Sequence, residues 1–119
     1  MFEDEKYVST GRLRICWSER MPQAIENQLA LLRCIADETR FKILLTLKSS
    51  ELCVCDITKE LKAEQSLISH HLQALRKCRL VKSVRQGRWI KYRLADPRVA
   101  ELLAKVEEVS GKLLKRAAV

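Results

Sequence analysis

No run of this 119-residue chain approaches the roughly 18 to 20 consecutive apolar residues that cross a bilayer, and its opening Met1-Phe2-Glu3-Asp4-Glu5 is acidic where a secretory leader is basic. Both absences point to the cytoplasm. There is no Gly-rich cofactor loop, no Cys-x-x-Cys ahead of a βαβ unit and no visible nucleophile–base pair, so the sequence gives an enzyme, including a thiol oxidoreductase, nothing to work with. The cysteine count of five is odd, which in a cytosolic chain argues for free thiols, metal ligands or redox chemistry and against a disulfide framework. Apolar residues at 47% and charged residues at 32% describe a globular protein, and the length suits one core.

Acid is missing from one long segment. Between Gln65 and Ala95 there is no Asp or Glu, while Arg76, Lys77, Arg79, Lys82, Arg85, Arg88, Lys91 and Arg93 all fall there. These eight residues account for the whole net charge of +8. A charge run is often only a solvated face, but an entire protein's excess in about thirty residues suits a phosphate backbone, whose counterions it would release. An anionic membrane surface competes for such a stripe and would want a basic amphipathic helix with bulky apolar residues opposite.

Periodicity places the stripe on elements. Pro22 opens a first helix on which Ile25, Leu29, Leu32 and Ile35 recur at helical spacing. A second helix begins after Asp37, a good N-cap, and runs through Phe41, Ile43, Leu44 and Leu47 to Lys48. The spacing predicts a third helix from Asp56 to Leu61, capped by Asp56, and a fourth from about Ser66 to Lys77 with Ile68, Leu72 and Leu75 buried. Only Lys62 to Gln65 separate these two, the spacing of a helix-turn-helix whose second helix enters the major groove. Leu80 to Arg85 and Arg88 to Leu94 then read as a hairpin about Gln86-Gly87, with Ile90, Tyr92 and Leu94 on one face and Trp89, Lys91 and Arg93 on the other. After Asp96-Pro97 a last helix carries Val99, Leu102, Leu103, Val106, Val109 and Leu113 as a stripe that needs a partner. The expectation is a mainly α, winged helix-turn-helix (α+β) fold: residues 1–21 an arm, and 22–117 a DNA-binding domain that dimerises through its first and last helices.

The sharpest chemistry lies in Glu51-Leu52-Cys53-Val54-Cys55-Asp56-Ile57. Two thiols one residue apart, just before a helix start, meet a dipole and free amides that favour the thiolate. Thiolates select soft ions such as Cd(II), Pb(II), Zn(II), Cu(I) or As(III). Taken alone, the pair is a weak motif that reads more readily as two small buried residues.

That heptapeptide, with Asp37-Glu38-Thr39-Arg40-Phe41-Lys42-Ile43-Leu44, Ser66-Leu67-Ile68-Ser69-His70-His71-Leu72-Gln73-Ala74-Leu75, Gly87-Arg88 and Tyr92, resembles the ArsR/SmtB family of metal-responsive repressors from about Gln23 to Val109. The resemblance implies that Cys53 and Cys55 are metal ligands. Arsenic sensors of the family with a third cysteine three residues on would carry it at position 58, where this chain has Thr58. Cadmium- and lead-sensing members bring cysteines from an N-terminal arm, which implies Cys16 as a third ligand. Three thiolates suit As(III), Sb(III) or Pb(II); Cd(II) would want a fourth donor. The family's other site, an Asp/His zinc site on the last helix, is not expected: Asp96 matches, but Arg98 replaces the histidine and no His follows His71. His71 resembles the family's packing histidine, and Cys34 and Cys78 read as small apolar fillers.

For DNA, Gln65, Ser66, Ser69, His70 and Gln73 project away from the buried stripe of the fourth helix and are candidates for base edges and nearby phosphates. Arg85, Arg88 and Lys91 on the hairpin, with Lys82, are expected to hold phosphates or reach the minor groove. The expected partner is operator DNA with an imperfect inverted repeat, read by a homodimer and released when As(III)/Sb(III) or Cd(II)/Pb(II) binds thiolates. A redox-responsive repressor, using oxidation of Cys53, Cys55 and Cys16, is the alternative within the same fold; an architectural DNA-binding protein without ligand is a third reading.

Overall fold

The computed structural model describes the backbone of residues 7–9, 14–16 and 22–117, and the side chains of residues 22–112. Contacts divide the chain into residues 1–33 and 34–119. In the first unit, β1 (Tyr7–Ser9) and β2 (Arg14–Cys16) pair antiparallel with Tyr7 opposite Cys16, a hairpin that no pattern in the arm announces. Helix α1 spans Gln23–Ile35. Pro22 stands just outside it and satisfies two of its free amides, its carbonyl accepting from Ile25 N and Glu26 N at 3.0 and 3.1 Å.

The second unit is built on α2 (Glu38–Leu47), α3 (Val54–Leu61) and α4 (Gln65–Lys77). Asp37 caps α2 as expected, its side chain accepting from Arg40 N at 3.1 Å. The three helices close on one core in which Ile43, Leu44, Ile57, Ile68, Leu72 and Leu75 are fully buried. Each such side chain contributes about 1.5–3 kcal/mol of burial free energy, so this cluster fixes how α4 is presented. The helical stripe read from the sequence on α4 is therefore the core face. Between α3 and α4 lie only Lys62, Ala63 and Glu64, one residue fewer than the spacing suggested.

The third helix differs from expectation at its start. It begins at Val54, with Cys53 as N-cap in extended conformation (φ −86°, ψ 169°), and Asp56 falls inside its first turn. Asp56 attracted the N-cap reading because its carboxylate does serve this helix start, but from the third helical position: it accepts from the Cys53 thiol at 3.1 Å and from the Cys53 amide.

A three-stranded antiparallel sheet follows in the order β3-β5-β4, with β4 at Val81–Gln86 and β5 at Trp89–Leu94. The added strand, β3 (Leu52–Cys53), sets Leu52 opposite Tyr92 and Cys53 opposite Lys91. Between β4 and β5 the loop is Gly87-Arg88, with positive φ (63°) at Gly87 alone, the pattern of a type II′ turn. The expected alternation holds near the core, where Val81 is buried and Tyr92 and Leu94 are half-buried, and fails at the tip. Ile90 is 44% exposed because the hairpin runs on past the last core layer.

Helix α5 spans Pro97–Ala117. Val99 and Leu103 of its apolar stripe are buried, whereas Val106 and Val109 are exposed. No helix among the described residues is long and apolar enough to cross a membrane.

Candidate DNA interface and thiol site

Helix α4 has two chemically opposed faces. Ile68, Leu72 and Leu75 hold it to the core, and Gln65, Ser66, His70 and Gln73 are exposed on the other side, with Ser69 half-buried. His71, the next residue round, faces inward: its Nδ1 accepts from Arg40 Nε at 3.1 Å and lies 3.9 Å from the Asp37 carboxylate. His71 thus fastens α4 to the start of α2, which leaves His70 as the outward histidine. Three further exposed residues on α4 were not singled out as DNA contacts by sequence reasoning. Leu67, 42% exposed, offers an apolar contact of the kind that reads a thymine methyl. Arg76 and Lys77 line a shallow groove of about 300 Å³ with Gln73; the acid-free segment had counted them only as charge.

On the hairpin, Lys82, Arg85 and Arg88 are exposed and Lys91 is half-buried. Cross-strand register sorts them by face: Lys82 pairs with Arg93 and Val84 with Lys91 on one side, while Arg85 pairs with Ile90 on the other. Arg88 occupies the turn itself. Arg93 is partly committed, since its Nη1 lies 3.4 Å from the Glu51 carboxylate. Trp89, 58% exposed, covers little of the core.

The thiol residues sit where strand becomes helix. Cys53 ends β3 and caps α3, and Cys55 lies in the first turn of α3; Cys53 is half-buried, Cys55 exposed, and both are free thiols. This junction supplies the non-helical backbone that two residues of a regular helix, pointing about 200° apart, would deny to a shared ligand. The Asp56 carboxylate is held below its ordinary range, chiefly by the hydrogen bond from the Cys53 thiol, then by the Cys53 amide, with smaller help from Lys59 and Lys91. Two soft sulfurs suit a soft ion, but they are fewer than the three that As(III), Sb(III) or Pb(II) would take. Among the described residues no three His, Cys, Asp or Glu side chains gather as a metal site. Cys16 closes β2, and its side chain lies outside the described residues.

Asp96 is occupied otherwise. It accepts from the Arg98 amide at 2.8 Å and from its guanidinium at 2.8 and 3.1 Å, and this neighbour holds its carboxyl down to about 2.

A short helix pair with an exposed second helix, followed by a basic hairpin, defines a winged helix-turn-helix regulator that binds DNA. Comparison with known proteins narrows this. Residues 37–83 match the bacterial regulatory protein, arsR family. A transcriptional repressor SmtB homolog of Synechocystis is 36% identical over 106 residues, covering 88% of this chain and 80% of that one. The arsenical resistance operon repressor of Escherichia coli is 42% identical over 79 residues, 66% of this chain and 67% of that one. The solution structure of a homodimeric winged helix-turn-helix DNA-binding domain from Mycobacterium bovis superposes with a TM-score of 0.74 at 29% identity, covering 79% of this chain and 87% of that one. This chain belongs to the ArsR/SmtB family of transcriptional regulators.

Proposed function

We propose that this protein is a dimeric transcriptional repressor whose hold on operator DNA is released by a soft metal or metalloid ion at Cys53 and Cys55, with Cys16 as third thiolate. One observation carries the reading: Cys53 and Cys55 straddle the junction of β3, which pairs with wing strand β5, and α3, the first helix of the DNA-reading pair. A ligand held there touches both parts of the reading head. A bound soft ion would act as a Lewis acid that replaces thiol protons with metal–sulfur bonds. A ligated Cys53 would have no proton to donate to Asp56, and the 3.1 Å hydrogen bond would be lost. Asp56 would then keep only the Cys53 amide, and the inner cap at the start of α3 would be weakened.

Three thiolates favour As(III), Sb(III) or Pb(II), and Cd(II) with a fourth donor. The name of the Escherichia coli relative, an arsenical resistance operon repressor, leans the choice to arsenic. Dimerisation is supported by the exposed apolar residues Leu32 on α1 and Val106 and Val109 on α5, and by the homodimeric state of the Mycobacterium bovis domain. Base edges fall to Gln65, Ser66, Ser69, His70, Gln73 and Leu67. Phosphates fall to Lys82, Arg85, Arg88 and Lys91, with Arg76 and Lys77 beside the groove.

The test is a closed thermodynamic cycle under reducing conditions, measuring ion affinity with and without saturating operator. Coupling of about 1–3 kcal/mol is expected, operator weakening the ion by the factor by which the ion weakens operator. Equal ion affinities would rule out release by this route. Cys53→Ser or Cys55→Ser should retain operator binding and lose the ion response, while Cys16→Ser should weaken the response. Release by oxidant alone that is lost in Cys53→Ser or Cys55→Ser would favour the redox-responsive reading.

A further inference from the structure

Cys34 and Cys78 take no part in that reading. Cys34 lies in the last turn of α1, Cys78 caps the C-terminus of α4, and both are free thiols. Although far apart in the chain, they converge on one acceptor. The Cys34 Sγ donates to the Ala74 carbonyl at 3.8 Å, and the Cys78 backbone N–H donates to the same oxygen at 3.1 Å. The Cys78 side chain is near enough to bear on the Cys34 thiol. Exposure is asymmetric, with Cys34 buried at 3% and Cys78 open to solvent. Burial, then the contact with Cys78, pushes the Cys34 thiol up to about 11, opposed by the Arg40 guanidinium, whose Nη1 lies 3.9 Å from the sulfur. Cys34 therefore rests as the thiol, with a cation beside it that would steady a thiolate once one forms.

We propose that Cys34 and Cys78 form a second, separate thiol switch, a dithiol that a hydroperoxide closes to an intramolecular disulfide, lowering affinity for operator. The exposed Cys78 sulfur attacks the peroxide: an S–O bond forms, the O–O bond breaks, and the departing oxygen leaves as alcohol or water with the thiol proton. The Cys34 sulfur then attacks the Cys78 sulfenic sulfur. An S–S bond forms, the S–O bond breaks, and the hydroxyl leaves as water with the Cys34 proton. Two thiols have given up two electrons and two protons, and the hydroperoxide has been reduced. A thiol reductant reverses the bond by exchange.

Closure draws the sulfurs to about 2.05 Å and fixes the Cβ atoms near 3.8 Å apart, tying the end of α1 to the last turn of α4. That turn carries Arg76 and Lys77, and the covalent loop so formed contains the whole helix-turn-helix. The effect on operator rests on the DNA-binding reading; the disulfide itself does not.

The experiment treats the reduced full-length protein with a small excess of hydrogen peroxide, blocks remaining thiols, and maps disulfides by non-reducing digestion and mass spectrometry, with operator affinity measured by fluorescence anisotropy on the same samples. A Cys34–Cys78 cross-link is expected, with affinity falling about fivefold or more and recovering on thiol reduction. Cys78→Ser, at an exposed position, should abolish both changes, and Cys34→Ala should do the same if it folds. The proposal is overturned by a map that links Cys78 to a second chain or to Cys53 or Cys55, or leaves Cys78 oxidised alone. It is overturned equally by a cross-linked protein that binds operator as tightly as the reduced one. If the reduced protein binds no operator, the DNA-binding reading fails and the map alone decides the oxidation site.

Discussion

Asp37 carries more than its share of local order. Its carboxylate accepts the Arg40 amide at 3.1 Å and lies 3.9 Å from His71 Nδ1. The same nitrogen accepts from Arg40 Nε at 3.1 Å, so Arg40, Asp37 and His71 form one cluster at the start of α2. The backbone hydrogen bond from Arg40 is the main cause that holds the Asp37 carboxyl below its ordinary range, followed by the nearby His71 and Arg40. Asp37→Ala should cost about 1 kcal/mol, the usual worth of an N-cap. A carboxylate whose folded pKa is depressed contributes fully above its unfolded value of about 3.9, and the contribution disappears as pH falls through the lower folded value. The stability difference between parent and variant in urea melts should thus be constant above about pH 5 and shrink below about pH 4. A difference that grows on acidification would contradict the cap. This residue was legible in the sequence because capping is local; the Cys34–Cys78 contact was not, since no spacing rule joins the last turn of one helix to the end of another three helices on.

Two helix ends in the reading head close through non-glycine residues in the left-handed region. Lys62 (φ 53°) ends α3, with Ala63 N donating to Thr58 O at 3.3 Å. Arg79 (φ 62°) follows α4, with its own N donating to Arg76 O at 2.9 Å and Leu80 N to Leu75 O at 3.0 Å, a complete Schellman motif that buries Leu75 and Leu80 together. The left-handed conformation costs an L-residue about 1–2 kcal/mol, so Lys62→Gly should raise stability by about 1 kcal/mol. Gly87→Ala should lower it by a similar amount, about 1–2 kcal/mol: a Cβ there meets nothing within 4 Å, so only the φ of 63° is strained. Urea midpoints of both variants check the pair, and a shift of the same sign in both would refute the argument. Helices α2, α4 and α5 and the hairpin were readable because their periodicity runs over many residues. The start of α3 and the strand β3 were not. Cysteine is no recognised cap, Asp56 looks like one, and a two-residue strand has no alternation to detect; it forms because Tyr92 and Lys91 offer it an edge.

Across the whole molecule, the charge that stood out in the sequence falls on the surface left free by the core. Ile68, Leu72, Leu75, Leu80 and Val81 of the acid-free segment are buried, whereas its cations lie mostly on the exposed side of α4 and the wing. Acidic residues lie elsewhere, and some are paired locally, Glu38 with Lys42 at 2.7 Å and Glu108 with Lys105 and Lys112 at 2.9 and 3.1 Å. Arg93, in contrast, already has Glu51 at 3.4 Å and has less to offer a phosphate than Arg88, which no carboxylate among the described residues approaches as an ion pair. Counterion release makes the logarithm of operator affinity fall linearly with the logarithm of salt concentration, by about 0.9 for each phosphate neutralised. Arg88→Ala should therefore weaken binding and flatten that line by about one phosphate contact, for operator and unrelated DNA alike, whereas Arg93→Ala should change the slope by less. Gln73→Ala should behave differently, lowering affinity for operator while leaving the slope where it was, because a neutral side chain releases no counterion. Fluorescence anisotropy titrations across a range of salt concentrations separate the three variants. A parent slope near zero would remove the electrostatic basis for DNA binding, and equal slopes for parent and Arg88→Ala would move the phosphate contact off the wing tip.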